Sequence, residues 1–262
     1  MPNRITFVYP YYENPRMLAR QVRGWRSYPP ELLARIRIVL VDDGSPEHPA
    51  HAVLGGDCGL PIELYRIQEN IPWNQHGARN LGAHIAGDGW LLLTDMDIVV
   101  PRAALARLVT RRLDPKRFYM LKRRTRTAAG VTIDSHVNTF LLTRKTFWRA
   151  GGYDEDFCGS YGGDAQFRKR LQDVAEGRLL KDVIVEGRTS AEVRDANTSA
   201  WDRDLYHEEF LRRLERKQRK KNTAPSRPLR FTWIRELPRD EKSAVRTPRR
   251  KSPARGKKRG SH

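Results

Sequence analysis

Cysteine is scarce in this chain of 262 residues, and its scarcity excludes two classes at once. Two cysteines, Cys58 and Cys158, cannot build a disulfide framework, and neither sits in a CxxC or Cys/His cluster that would hold zinc. They read as reduced, structural thiols, which suits a cytoplasmic compartment. Long apolar runs are missing as well. None approaches the roughly 18 residues that a membrane helix needs, and "MPNRITFVYP" enters a strand without a basic and apolar leader. The expectation is a soluble protein, not inserted in a bilayer. Acidic residues are outnumbered, with 31 Asp and Glu against 50 Lys and Arg and a formal net charge of +19. That imbalance favours anionic partners, among them nucleic acid and anionic lipid. No helix-turn-helix, zinc finger or stacking-aromatic motif accompanies it.

The positive charge is concentrated at the end. Between Arg239 and Arg259 there are ten basic residues and two acidic ones, too few of the rest apolar to offset ordering by burial. Residues 238–262 are therefore expected to be a disordered basic tail, able to contact anionic lipid or nucleic acid. Just before it, "PLRFTWIREL" is a candidate final strand within 222–237, with Phe231 and Trp233 on one face. Residues 1–221 hold the rest of the apolar sequence, enough for one sizeable domain.

Within that domain the apolar periodicity alternates between strand and helix. "ITFVYPYY" reads as a strand from Ile5. Met17, Leu18, Val22 and Trp25 follow at helical spacing, and Pro29-Pro30 stops them. "RIRIVLVDDGSPE" is a strand ending in Asp42-Asp43-Gly44-Ser45, and "IELYRIQEN" another. "NQHGARNLGAHIAG" is a short helix whose Gly77 and Gly82 permit close packing. "GWLLLTDMDIVVP" reads as one strand, then a helix from about Arg102 to Leu113. Strands are also expected in "RFYMLKRRTR", "HVNTFLLTRKTFW" and "RLLKDVIVEG", and helices from near Gly163 and in "WDRDLYHEEFLRRLERKQRKK". The order predicts an α/β fold with a mainly parallel central sheet flanked by helices. Ligands of such sheets bind beyond the carboxyl ends of the strands. Here those ends carry Tyr11-Tyr12, Asp42-Asp43 and Asp95-Met96-Asp97.

Asp95 and Asp97 stand two residues apart, so on an extended backbone both would point the same way. Either the strand has reached solvent, or a cation sits between the two charges. The residues alone leave both readings open. "VDDGSPE", "NQHGARNLGAHIAGDGWLLLTDMDIVVP" and "FLLTRKTFWRAGGYDEDFCGSYGGDAQFRKRL", in this order, resemble nucleotide-sugar-dependent glycosyltransferases of the GT-A fold, family 2 above all, with a C-terminal half similar to the galactosyltransferase-like module. The resemblance covers roughly residues 5 to 175.

The resemblance implies a metal-dependent hexosyl transfer from a nucleotide sugar, with UDP as the expected nucleotide, to a hydroxyl on a glycan, a lipid-linked sugar or a protein. Residues 1–101 would form the nucleotide-sugar half and 102–221 the acceptor half. Asp97 would bind Mn2+ or Mg2+, with Asp95 sharing the metal or lying near the ribose. Asp43 would bind the base, with Asp42 assisting, and Tyr12 would stack on it. Arg79 would hold Asp43 or contact the donor. Asp164 would be the general base of an inverting reaction, with helix capping as its structural alternative; a retaining reaction stays open. Trp73 would line the cleft or sit in the core, and His207 reads as a surface histidine. Two departures stand out: Glu13 replaces the family's Asn, and Gly163 replaces the acid that precedes the base in many relatives. The competing readings are a basic nucleic-acid-binding protein and a catalytically degenerate sugar-nucleotide-binding module. Localisation is expected to be cytoplasmic, with the tail bringing the chain to a membrane surface.

Overall fold

Ile5–Tyr11 form the first strand, β1, and alternate residues go to opposite sides of it: Phe7 and Tyr9 pack into one core, Val8 into another. The computed structural model describes residues 3–237 apart from 57, 198–200 and 222–223. The basic tail expected over 238–262 lies outside the described residues. After β1 come α1 (Pro15–Arg26), α2 (Pro30–Leu33), β2 (Ile36–Asp42), α3 (Ala50–Leu54), β3 (Ile62–Ile67) and α4 (Gln75–Ile85). Next are β4 (Trp90–Leu93), β5 (Ile98–Val99), α5 (Arg102–Thr110), β6 (Phe118–Thr127), β7 (Gly130–Thr143) and α6 (Arg144–Arg149). A single 3-10 turn (Glu155–Phe157), α7 (Asp164–Val174), β8 (Gly177–Gly187), α8 (Arg203–Arg219) and β9 (Trp233–Leu237) complete the order.

The strands form one sheet in the order β5-β8-β6-β7-β4-β1-β2-β3-β9. Its centre, β4-β1-β2-β3, is parallel, as expected from strands separated by helices. Antiparallel partners extend it on both sides, β7 against β4 and β9 against β3. β6 and β7 form a hairpin, and β7 begins at Gly130, earlier than the expected strand. Helices cover both faces. On one, the buried stripe Met17, Leu18, Val22 and Trp25 of α1 packs with α5 on Phe7, Tyr9 and Ile38. On the other, Ala83 of α4, Phe147 of α6 and Phe167 of α7 pack on Val8, Leu93 and Phe140. α4 lies close to β1, as its glycines predict: a Cβ on Gly82 would overlap the side chain of Val8. Phe231 and Trp233 join Val39, Val41 and Tyr65 in a third cluster, so the segment around β9 is part of the same sheet and core. Among the described residues no helix is long and apolar enough to cross a membrane.

The fourth strand is shorter than the sequence suggests. Its pairing ends at Leu93, and Asp95 to Asp97 form a turn, with the Ile98 amide donating to the Asp95 carbonyl at 3.1 Å. The buried Gln21 of α1 donates from Nε2 to the carbonyls of Met96 and Ile98, at 2.8 Å each. The Arg188 amide donates to the Asp97 carbonyl at 2.9 Å. Met96 is buried while its acidic neighbours are partly exposed. A pinned turn, rather than an extended strand, therefore aims the two acids.

Candidate active site

A cleft of about 260 Å³ opens beyond the carboxyl ends of the parallel strands. Tyr12 lines it after β1, Asp43 after β2, and Asp95, Met96 and Asp97 after β4. Asn138 of β7, Asp164 of α7, and Ala196, Asn197 and Arg203 enclose the other side. The loop bearing Ala196 and Asn197 is tied down beside them, because the Asp195 carboxylate accepts from the amides of Arg16 (2.7 Å) and Met17 (3.0 Å) and so satisfies the open end of α1. The rim is aromatic. Tyr12 stacks on Trp201 with ring centroids 6.2 Å apart, and Trp73 lies 4.7 Å from Tyr161. The Arg203 guanidinium stands 5.9 Å and 5.5 Å over the latter two rings. Trp73 is thus a cleft residue.

Asp42 and Asp43 divide their tasks. Asp42 is fully buried and accepts from the amides of Ser45 (2.9 Å) and Ala50 (2.7 Å), so it builds the turn. Gly44 has φ +79°, and a Cβ there would come within 2.5 Å of the Glu69 carbonyl oxygen, which restricts the turn to glycine. Asp43 faces the cleft and accepts from Asn74 Nδ2 at 2.7 Å. Burial pushes its carboxyl well above the usual range; the Asn74 bond opposes this and the Asp42 charge adds to it.

Arg79 departs from expectation. Among the described residues its hydrogen bonds and ion pairs go elsewhere than Asp43, and it lies fully buried beneath the cleft. One guanidinium nitrogen pairs with Asp95 Oδ1; the other donates to Asp164 Oδ1 at 3.0 Å and to the Tyr153 hydroxyl at 2.8 Å. Burial works against its charge, but Tyr153, Asp95 and Asp164 outweigh it and raise its pKa. A planar fork with several donors suits this task. α4 turns Arg79 toward the β4 and α7 ends, while Asn74, at the cap position of α4, reaches Asp43.

Asp164 opens α7 without capping it. The cap position is Gly163, and the Asp164 carboxylate goes to Arg79. Its other oxygen lies 3.5 Å from both Gln75 Nε2 and Asn138 Nδ2. His76 Nε2 is 4.0 Å from Oδ1. Phe167, the hydrophobe three positions on, is fully buried against Tyr153 at 4.1 Å between centroids.

Asp97 has its carboxyl pushed up to about 7 by burial and by the Asp95 charge, which Arg123 partly offsets. His136 was not singled out by sequence; its Nε2 lies 3.7 Å from Asp95 Oδ2 and its Nδ1 2.7 Å from Thr139 Oγ1. A histidine inside an apolar strand pattern was the available signal. Glu13, the first departure, accepts from the amides of Glu47 (3.0 Å) and His48 (3.1 Å), and fastens the loop after β2. His207 is exposed on α8, its ring stacked on Phe210. Of the "YDEDF" acids, Asp154 pairs with Lys217 and Glu155 is bound by amides, both structural.

Residues 6–171 match the family described as Glycosyl transferase family 2. No curated protein matches the chain in sequence. Among solved structures, the chain is similar to the mannosyltransferase PcManGT from Pyrobaculum calidifontis, in complex with GDP-Man and Mn2+. The TM-score is 0.55 and the identity 17%, over 71% of this chain and 57% of that one. It is also similar to GalNAc-T7 with UDP, GalNAc and Mn2+ (TM-score 0.54, 15% identity, 71% of this chain and 44% of that one). A third is S. aureus TarS 1-349 (TM-score 0.54, 15% identity, 83% of this chain and 73% of that one). The chain thus spans about half the length of the first two, and the likeness is one of fold, the GT-A architecture.

Proposed function

The chain belongs to glycosyl transferase family 2, and from that premise we propose that it transfers a hexosyl unit from a nucleotide sugar, with UDP as the nucleotide, to a hydroxyl acceptor on a glycan, a lipid-linked sugar or a protein. The observation that carries this reading is one cleft at the strand ends lined by Tyr12, Asp43, Asp95, Asp97 and Asp164, with Arg79 beneath it joining Asp95 to Asp164. Tyr12 and Asp43 take the nucleoside. Asp164 takes the proton.

Mn2+ or Mg2+ suits the donor set. Asp95 and Asp97 offer hard carboxylate oxygens, and their mutual repulsion is relieved by positive charge between them. Arg79 occupies Asp95 Oδ1, while Oδ2 has His136 Nε2 3.7 Å away. Among the described residues no group of three His, Cys, Asp or Glu side chains is arranged to hold a cation. Donor phosphate and water oxygens would complete the shell, a common arrangement for such ions. When bound, the ion offsets negative charge growing on the departing diphosphate.

The remaining chemistry falls to this chain. As the acceptor oxygen bonds to the sugar carbon, the bond from that carbon to the diphosphate breaks and its electron pair leaves with the nucleoside diphosphate, while the acceptor's proton passes to Asp164. Arg79 holds the carboxylate in place through Oδ1 at 3.0 Å. Direct attack opposite the diphosphate inverts the configuration.

Calorimetric titration with UDP, with and without Mn2+, tests the donor half. Binding that needs Mn2+ and is lost in Asp97→Ala supports it. Equal UDP affinity with and without metal sinks the cation role, and tighter binding of GDP sinks the choice of nucleotide.

A further inference from the structure

Val131 and Ile133 are exposed by 59% and 49%, although they sit in a strand. Both belong to the β6–β7 hairpin, in which Arg126 lies opposite Val131, Arg124 opposite Ile133 and Lys122 opposite Ser135. Residues directly opposed in an antiparallel pair project from the same face. One face of the hairpin therefore carries Lys122, Arg124 and Arg126 beside two β-branched apolar side chains, ahead of a tip made of Ala128, Ala129 and Gly130. The acid of the hairpin, Asp134, lies opposite Arg123 on the other face and is paired with it at 2.8 Å. Glu186, opposite Arg124 on β8, is paired with Arg188.

We propose that this hairpin is a docking element for the surface of an anionic phospholipid bilayer. The apolar tip enters the headgroup region, and Lys122, Arg124 and Arg126 meet the lipid phosphates. The chemistry selects this occupant over a protein partner. Two side chains and a small-residue tip offer too little apolar area for a stable protein interface, but a shallow apolar wedge ringed by cations suits an anionic membrane surface. β7 continues from the tip, through a break in its regular pairing after Ser135, to Asn138 in the cleft wall. Docking would thus hold the cleft near the lipid. This inference does not depend on the donor, the metal or the base proposed above.

The test is co-sedimentation of the full chain with vesicles of phosphatidylcholine alone and of phosphatidylcholine with phosphatidylglycerol. The wild type should pellet with the anionic vesicles. Partition should fall at least about fivefold in Val131→Asp/Ile133→Asp and in Arg124→Gln/Arg126→Gln. The second pair keeps the test decisive if the first fails to fold, which a thermal melt shows. Leu205→Asp/Leu211→Asp, on the exposed leucines of α8, should bind like the wild type. Unchanged binding of both hairpin variants would overturn the proposal and leave the association to the basic C-terminal run. Equal loss in the α8 variant, or no binding of the wild type, would overturn it as well. So would concentration-dependent dimerisation abolished by the hairpin variants in a chain that ignores vesicles, which assigns the face to a second copy.

Discussion

The imidazole of His76 stands where a side chain on residue 163 would have to go. A Cβ on Gly163 would come within 2.5 Å of His76 Cε1, and the backbone there has φ +97°. The ring is buried and stacks on Tyr153 at 5.0 Å. The missing acid beside the proposed base is therefore a packing requirement: α4 fills the space that such an acid would use.

Gly163→Ala should cost about 1–3 kcal/mol through left-handed strain and overlap with His76. In a domain of this size about 2 kcal/mol corresponds to a melting temperature lower by about 4–8 °C. The overlap part should return in His76→Ala/Gly163→Ala, as a coupling of at least about 0.5 kcal/mol between the two sites. Purely additive losses would remove His76 from the explanation.

Burial is the main cause of a lowered His76 pKa; Asp164 opposes it and Arg79 adds to it. The sign follows from linkage. Above about pH 6.5 the ring is neutral in both folded and unfolded chains. Below that, the unfolded chain takes up a proton while the folded ring does not, so stability falls as the pH drops. His76 should contribute a slope of up to about 1.4 kcal/mol per pH unit in that window. Urea titrations at pH 7.5 and 5.5 should show a shallower loss in His76→Phe, and an equal loss would remove the assignment.

Arg79→Met takes the shared counter-ion from Asp95 and Asp164. Breaking a buried pair in this way costs about 3–5 kcal/mol. Arg79→Lys keeps the charge but cannot grip both carboxylates and Tyr153 with one planar fork, so it should fall between the two. A loss under about 1 kcal/mol for the methionine variant would mean that both acids relax into water.

Asp164→Asn should leave UDP affinity in the presence of Mn2+ within about threefold, while lowering turnover by about 10²-fold or more. Loss of UDP binding in step with turnover would make Asp164 part of the donor site instead.

Much of this architecture is legible because strands and amphipathic helices announce themselves by local period. The ends of β1 and β2, the α1 stripe and the order of the acids around the cleft all follow from it. Contacts between distant positions do not. Gln21 pins the turn of Met96 and Ile98, and Asp195 satisfies the start of α1; no spacing rule links such positions. Arg79 is legible as a residue of this region, but its pairing with Asp95 and Asp164 is not, because the direction of a helical side chain depends on how the helix is rotated against the sheet. The turn at Asp95 to Asp97 is hidden in the sequence because its apolar flanks, Leu93 and Ile98, do belong to strands.

Glu155 sets the place where the chain can be cut. Its carboxylate is buried and accepts from Asn80 Nδ2 (2.9 Å) and from the amides of Leu229 (2.8 Å) and Arg230 (3.1 Å). A shortened protein that stops before Leu229 would strand that charge without two of its donors and uncover the pocket of Phe231 and Trp233. One that keeps every residue through Leu237 retains them all, so experiments that remove the basic run should trim no further than Pro238.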